Sequence, residues 1–417
     1  MFNKVSESRE LKDWLDKLEL LNPSHIELGL DRSRAVLERM NLAFEGRVIT
    51  VGGTNGKGTT VALLEQLLAK QGISTGAYTS PHLFHFRERI RIRSLPATDT
   101  QLIVAFEAVE SARENIHLTY FEFSTLAAAY LFSQSQLDFW LMEIGLGGRL
   151  DAVNLFEPDV AIVTNISLDH QAWLGDSIEE IAEEKAGIFR ANKPAIFGSE
   201  SRPKTIDAMV ADKGAIPRFS GEHFGDERGR FWWRNKKRPQ LPLPSSESYT
   251  SEALSSSLAA LAELDSVPSD DDIQSLKNFV VPGRFQIIKT AKYDLIADVA
   301  HNQDSVTLLA ERLRKRQCSN LTAVVGFMQD KLDVDLIKPM MEFVGQWIIV
   351  RPDIPRAASL ETIEALLTEV NVSKKNILYC PRVDNLNEVL KGTNTAVIYG
   401  SFYTVGQCLS NLGVEVG

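Results

Sequence analysis

A single lysine set among glycines, Lys57 in Val48-Ile-Thr-Val-Gly-Gly-Thr-Asn-Gly-Lys-Gly-Thr-Thr60, marks the first place where this chain can do chemistry. Four β-formers run into a turn whose Gly52, Gly53, Gly56 and Gly58 let backbone N–H groups point inward around an anion. Lys57 adds positive charge, and a helix starting near Thr59 aims its N-terminal dipole at the same spot. Nucleotide phosphates suit that arrangement. The usual P-loop has Ser or Thr directly after Gly-Lys. Here Gly58 holds that position and Thr59 follows, so the ordinary pattern is not matched.

Further along, polar residues stand where strands should end, the side of an α/β sheet on which ligands bind. Ser80 lies in Thr79-Ser-Pro-His82, Glu143 closes the apolar run Phe139-Trp-Leu-Met-Glu143, and His170 follows Asn165 and Asp169. A hydroxyl, a carboxylate and an imidazole suit Mg²⁺ or Mn²⁺, provided phosphate oxygens and waters complete an octahedron. Each has a plainer reading too. Ser80 before Pro81 also shapes a turn, and His170 also caps or packs. A carboxylate in a buried strand must be paired or bound to metal, which makes Glu143 the hardest to dismiss. Lys185, in Glu183-Glu-Lys185, reads from periodicity as a solvated helix residue. Arg284, in Val281-Pro-Gly-Arg-Phe285, suits a phosphate or an ion pair, and Asp298-Val-Ala-His-Asn302 sits where a strand gives way to a helix.

The elements that must position these residues follow from periodicity. An amphipathic helix over Ser8–Leu21 is broken at Asn22-Pro-Ser24, and a loop over Ile26–Arg32 precedes a helix over Ser33–Met40. The phosphate loop leads into a helix over Thr60–Gln71 and a strand over Ser74–Tyr78. Strands are predicted at 138–144, 159–164 and 193–198, with a helix over Ser177–Phe189. Residues 200–250 turn Pro-, Ser- and aromatic-rich, which predicts a small β extension, followed by the helix Ser251–Leu264. Alternation resumes beyond Arg284, with strands at 294–299, 321–326, 346–350, 376–380 and 395–399. Helices fall between them at 305–316, 334–343, 360–370 and 384–391. Two α/β domains are expected, residues 1–281 and 282–417, in a chain longer than a single core usually supports.

The net charge of −10 argues against a nucleic-acid or anionic-membrane partner. The one dense basic cluster, Arg234-Asn-Lys-Lys-Arg238, lies beside Phe231-Trp-Trp233 and reads as a hairpin tip. Cys318, Cys380 and Cys408 form no CxxC and are odd in number, which fits buried thiols in a reducing cytoplasm. No apolar window suits a signal peptide or a membrane span. A cytoplasmic monomer acting on small molecules is expected.

Taken in order, Gly53-Thr-Asn-Gly-Lys-Gly-Thr59, Thr79-Ser-Pro-His82, Glu143-Ile-Gly-Leu-Gly-Gly-Arg-Leu-Asp-Ala-Val-Asn154 and Leu168-Asp-His170 resemble the folylpolyglutamate synthases of the Mur ligase superfamily. So do Glu184-Lys-Ala-Gly-Ile188, Pro282-Gly-Arg284, Asp298-Val-Ala-His-Asn302, Asp330-Lys331 and Gly400-Ser401. The resemblance spans nearly the whole chain. It implies a Mur-ligase-like fold, a P-loop-containing doubly wound domain followed by a smaller Rossmann-like α/β domain. It also implies ATP-dependent amide-bond formation through an acyl phosphate, with ATP between the domains and Mg²⁺ as cofactor.

By the same resemblance, Gly53, Thr54, Asn55, Gly56, Lys57, Gly58 and Thr59 bind the ATP phosphates, and Arg284 and Asp298 bind ATP from the second domain. Ser80, Glu143 and His170 are the implied metal ligands, and Lys185 matches a lysine carried as a carbamate, against its periodicity reading. His301, Ser401 and Tyr403 fall in the glutamate region. Ser80-Pro-His82, Arg149-Leu-Asp-Ala152 and Leu28-Gly-Leu-Asp-Arg32 resemble the bifunctional bacterial type, which makes dihydrofolate from dihydropteroate and also extends the glutamate tail. Asp31, Arg32, Phe121, Glu122, Asp151 and Ala152 are the implied pterin contacts. One departure stands out. The asparagine that relatives place on the helix after Leu-Pro-Leu-Pro is missing, and Thr250–Ala253 occupies that stretch.

Overall fold

The computed structural model describes residues 8–21, 27–234 and 241–414. The expected break at Asn22-Pro-Ser24, Ile26 at the start of the expected loop, and Asn235–Arg238 of the basic cluster lie outside them. The chain forms two compact units, Met1–Ser245 with Thr250–Lys277 and Ser246–Tyr249 with Asn278–Gly417.

The first unit is built on an eight-stranded sheet. Its strands are β1 (Arg47–Gly52), β2 (Thr75–Tyr78), β3 (Ile90–Ile92), β4 (Leu95–Pro96), β5 (Phe139–Glu143), β6 (Val160–Val163), β7 (Pro194–Phe197) and β8 (Ile216–Phe219). Their order is β4-β3-β2-β5-β1-β6-β7-β8, parallel except where β3 pairs antiparallel with β2 and β4. A parallel sheet must be covered on both faces, and β2, β5 and β6 are accordingly buried along their whole length. Register then does the positioning. Val51 pairs with Glu143 and Gly52 with Val163, so β1 delivers the phosphate loop between the ends of β5 and β6.

Helices α1 (Arg9–Leu21), α2 (Asp31–Met40), α3 (Lys57–Lys70), α4 (Asp99–Arg113), α5 (Tyr120–Ser133), α6 (Gln171–Leu174), α7 (Ile178–Ala186), α8 (Lys204–Asp212), α9 (Ser251–Glu263) and α10 (Asp270–Ser275) complete this unit. α3 is apolar on nearly all sides because it lies between the sheet and α9. Burial of Val61, Leu63, Leu64, Leu67 and Leu68 in it stabilises the unit by roughly 1.5–3 kcal/mol per side chain. The helix begins at Lys57, three residues before the predicted start, which puts Gly58 and Thr59 in its first turn.

α4 and α5, unassigned from periodicity, begin at capping boxes, Thr98 with Gln101 and Thr119 with Glu122. The 200–250 region is more than a β extension. It contains α8, strand β8 of the main sheet, and a separate sheet of β9 (Phe224–Asp226), β10 (Arg230–Trp233) and β11 (Leu241–Pro242).

The second unit is a six-stranded sheet of β12 (Gln286–Lys289), β13 (Asp294–Ala297), β14 (Leu321–Val325), β15 (Val344–Val350), β16 (Ile377–Cys380) and β17 (Thr395–Tyr399). The order is β12-β13-β17-β14-β15-β16, with only β12 antiparallel. Its helices are α11 (Gln303–Lys315), α12 (Leu360–Glu369), α13 (Leu386–Val389) and α14 (Phe402–Asn411). The helix expected over 334–343 is instead two short 3-10 turns, Val334–Leu336 and Lys338–Met340. Pro339 has no N–H to continue an α-helical ladder there.

Candidate active site

The phosphate loop is held open by two left-handed glycines, Gly53 at φ +133° and Gly56 at φ +84°. A Cβ at Gly53 would lie 1.9 Å from Thr164 Oγ1, so no other residue fits. The segment after β6 fastens the loop from outside. Thr164 Oγ1 donates to Asn55 O (2.6 Å), the Asn55 N–H donates to Asn165 Oδ1 (2.8 Å), and the Thr54 N–H donates to Asn165 O (3.0 Å). Thr54 Oγ1 completes the set, donating to Ser167 O (3.2 Å) and accepting from Ser167 N–H (3.0 Å). Lys57 Nζ curls back over the loop onto Gly53 O (3.1 Å) and Thr54 O (3.2 Å).

Glu143 is buried at the end of β5, and its Oε2 accepts the Ser80 N–H at 3.0 Å. A Cβ at Gly58 would lie 3.4 Å from that same oxygen, so the absent side chain leaves the carboxylate against the first turn of α3. That explains Gly58 where the ordinary motif has a hydroxyl residue. His170 has left-handed backbone at φ +53°, N-terminal to α6, and its N–H donates to Asp169 Oδ1 (2.7 Å). It lines a narrow cleft with Gly53, Lys57, Gly145 and Lys185.

Lys185 overturns the periodicity reading. It is 4% exposed and its Nζ donates to Gly53 O at 3.1 Å. Burial first, and then the nearby charge of Lys57, lowers its pKa to about 7, against the opposing pull of Glu184 and Asp151. Asp151 is also buried; its oxygens accept from the N–H groups of Leu146 (2.8 Å) and Val153 (2.9 Å). Burial raises its carboxyl to about 7 despite those bonds and the charge of Lys57. Asp151 thus organises its own loop and caps the 3-10 turn that begins at Ala152.

Of the other expected pterin contacts, Arg32 Nη2 and Glu122 Oε1 meet at 3.0 Å, and Asp31 is exposed at the start of α2. Glu122 also accepts the Thr119 N–H (2.7 Å) in the α5 capping box. The Phe121 ring lies where a Cβ at Gly145 would be, 2.5 Å from its nearest atom.

Two of the residues expected in the second unit, Arg284 and His301, flank one ring. The Arg284 guanidinium lies 4.9 Å from the Phe402 ring centre, and the His301 ring lies 6.5 Å from it. Tyr403 is exposed, whereas Ser401 is buried and caps α14 by accepting the Thr404 N–H (2.9 Å). Buried Asp298 accepts from Phe285 N–H and Ala300 N–H, both at 2.9 Å; burial raises its pKa while Arg284 and Arg312 oppose the shift.

Among the described residues, no three His, Cys, Asp or Glu side chains form a metal site by themselves. The expected donor set, Ser80, Glu143 and His170, includes a single carboxylate and would suit a hard cation that takes its remaining oxygens from bound phosphate and water. At the position of the missing asparagine, the Thr250 side chain accepts the Ala253 N–H (3.3 Å) as the N-cap of α9. A larger cavity, lined by Arg39, Ser111, Glu114 and Tyr130, is remote in chemistry: its Arg39 is paired with Glu114 at 3.3 Å.

The fastening residues Thr164, Asn165 and Ser167, and Glu184, whose carboxylate accepts from Arg149 Nε (3.0 Å) and the Leu150 N–H (3.2 Å), are absent from the sequence-based candidate set. Their signal was polar residues directly after a strand and an acid beside an inward-facing lysine.

Comparison with known proteins agrees in both units. Residues 51–213 match the Mur ligase middle domain and residues 283–398 the Mur ligase glutamate ligase domain. The chain is 37% identical over 413 residues to the dihydrofolate synthase/folylpolyglutamate synthase of Escherichia coli (strain K12), covering 96% of this chain and 94% of that protein. The Haemophilus influenzae protein of the same description is 34% identical, with 95% and 96% covered. Among solved structures, E. coli FolC in complex with DHPP and ADP superposes with a TM-score of 0.88 at 35% identity, covering 99% of both chains. The bifunctional folylpolyglutamate synthase/dihydrofolate synthase with Mn, AMPPNP and L-glutamate bound gives 0.87 at 35% identity, with 98% of this chain and 100% of that one covered.

Proposed function

Because the chain belongs to the Mur ligase family, and within it to the dihydrofolate synthase/folylpolyglutamate synthases, we propose how its own residues carry the reaction of that group. The protein is an ATP-dependent ligase that joins L-glutamate by an amide bond to dihydropteroate, giving dihydrofolate, and to folates, lengthening their glutamate tails. The substrate carboxylate attacks the γ-phosphorus, ADP leaves, and an acyl phosphate forms. The glutamate amine then attacks the acyl carbon, and inorganic phosphate departs with the bridging oxygen. No protein nucleophile is needed. The work is positioning and neutralisation of charge.

The observation that carries this reading is the convergence of the open glycine loop, Lys57, Glu143 and buried Lys185 on the ends of β1 and β5. The N–H groups at the start of α3, from Gly56 to Thr59, and the Lys57 side chain hold the phosphates against the attacking carboxylate. A divalent metal accompanies ATP; we assign Mg²⁺, with Ser80, Glu143 and His170 as its protein ligands, and when bound it neutralises charge on the β- and γ-phosphates. We assign Lys185 as the carbamate lysine. Its amine, with a pKa lowered by burial to about 7, is deprotonated in part at neutral pH and can add CO₂ with loss of a proton, so becoming an anion that complements the metal site.

The remaining assignments are Arg284 and Asp298 to the nucleotide, and His301, Ser401 and Tyr403 to glutamate. Asp31, Arg32, Phe121, Glu122, Asp151 and Ala152 serve the pterin. Among the described residues no helix is long and apolar enough to cross a membrane, and a cytoplasmic monomer is the assignment that goes with these small-molecule substrates. The test of the acyl phosphate is isotopic. With ¹⁸O in the substrate carboxylate, one label per turnover must appear in inorganic phosphate; unlabelled phosphate accompanied by amide product would exclude the intermediate.

A further inference from the structure

Lys185 is one of two adjacent residues on α7 that hold separate loops of the site. Lys185 bonds the phosphate loop at Gly53 O. Glu184, beside it, holds the loop that joins β5 to Asp151. Glu184 Oε2 accepts from Arg149 Nε (3.0 Å), Oε1 accepts from the Leu150 N–H (3.2 Å), and the Glu184 carbonyl accepts the Arg149 N–H (2.9 Å). The approach is close enough to need glycine. A Cβ at Gly148 would lie 2.7 Å from Glu184 O and 2.9 Å from Lys185 O, and one at Gly147 would lie 3.1 Å from Glu184 Cγ. The Glu184 side chain is largely buried, whereas Arg149 is more than half exposed. The exposed ion pair is therefore the weaker contact, and the bond to the Leu150 N–H the stronger.

We propose that Glu184 is a positioning residue for the pteroyl substrate, fixing the Gly145–Asp151 loop against α7 while the neighbouring Lys185 bonds the phosphate loop. This rests on the assignment of Phe121, Asp151 and Ala152 to the pterin. Gly145 lies under the Phe121 ring, and Asp151 closes the same loop onto Leu146 N–H, so a shift of Leu150 displaces both. Glu184 touches no substrate in this scheme and acts through the loop.

Three variants test it, with KM for dihydropteroate measured at saturating glutamate and Mg-ATP, and Kd for ATP measured separately. Glu184→Ala should raise the dihydropteroate KM by about ten- to a hundredfold, the range a lost charged hydrogen bond corresponds to. Its ATP Kd should stay within about twofold of the wild type. Glu184→Gln retains one acceptor oxygen for the Leu150 N–H and should recover most of the loss. Arg149→Ala, which removes only the exposed pair, should change KM by less than about threefold.

Thermal unfolding of each variant, with the glutamine variant as the folded reference, separates positioning from simple misfolding. An unchanged dihydropteroate KM in a folded alanine variant would overturn the proposal. So would an ATP Kd that weakens in parallel with KM. A wild-type enzyme that fails to turn over dihydropteroate at all would instead refute the ligase reading beneath it.

Discussion

Replacing Lys185 by Met should change the pH dependence of stability in a direction that the burial of the amine fixes. The folded chain holds Lys185 at a pKa of about 7, whereas an unfolded lysine keeps its ordinary value near 10.5. Between those values the unfolded state binds the extra proton. Stability conferred on the wild type must therefore rise with pH across that window, at up to about 1.4 kcal/mol per unit. Below pH 7 the penalty for burying the amine is fully present, and above pH 10.5 it has vanished. Asp151, with a carboxyl at about 7 through burial, complicates the lower part of the window.

From pH 8 to pH 10 Asp151 is ionised in both states, and the slope belongs to the lysine. Over those two units the wild type should gain roughly 3 kcal/mol relative to Lys185→Met. Methionine has similar length and no charge, so its packing effect is a constant offset. Urea unfolding of the nucleotide-free protein in CO₂-free buffers at pH 8, 9 and 10 measures the difference. Parallel curves for the two proteins would mean that Lys185 keeps its proton in the folded chain, and the argument for a reactive amine would fail.

Gly53→Ala should destabilise the first unit by roughly 2–5 kcal/mol, since its Cβ meets Thr164 Oγ1 at 1.9 Å on left-handed backbone; a thermal melt of the apo protein checks this. Lys57→Ala should abolish turnover while leaving the apo melting temperature within about 2 °C of the wild type, because Lys57 lies on the ligand-facing loop at the start of α3, outside the apolar core. Glu143→Gln should cut kcat by roughly a hundredfold or more, as a neutral amide is a poor ligand for a hard cation; near-normal kcat at ordinary Mg²⁺ would remove Glu143 from the metal site.

Much of the site was legible because its residues sit at the ends of apolar strands. The run ending in Glu143 and the glycines around Lys57 needed no tertiary information, since a buried carboxylate and a glycine-rich strand-to-helix turn each restrict what can surround them. Lys185 was misread for a physical reason. The periodicity reading leaves it on a solvated face, and only the family resemblance argues otherwise; yet it lies four residues after Ile181 and three after Ala182, on the buried face of α7. Only the contact with Gly53 O shows why the helix accepts it there. Thr164, Asn165 and Ser167 show in the sequence only as polar residues at and after a strand end; their fastening role was not readable, because their partners lie more than a hundred residues away. In the second unit, periodicity over 334–343 favoured one helix, and the missing N–H of Pro339 decided for two short turns.

The central claim is tested most directly by incubating the wild-type protein with dihydropteroate, L-glutamate, ATP and Mg²⁺ and measuring dihydrofolate and ADP together. One ADP per dihydrofolate, with no ADP formed when glutamate and dihydropteroate are both withheld, is the result predicted. ADP release without dihydrofolate, or no turnover with any folate acceptor, would contradict it.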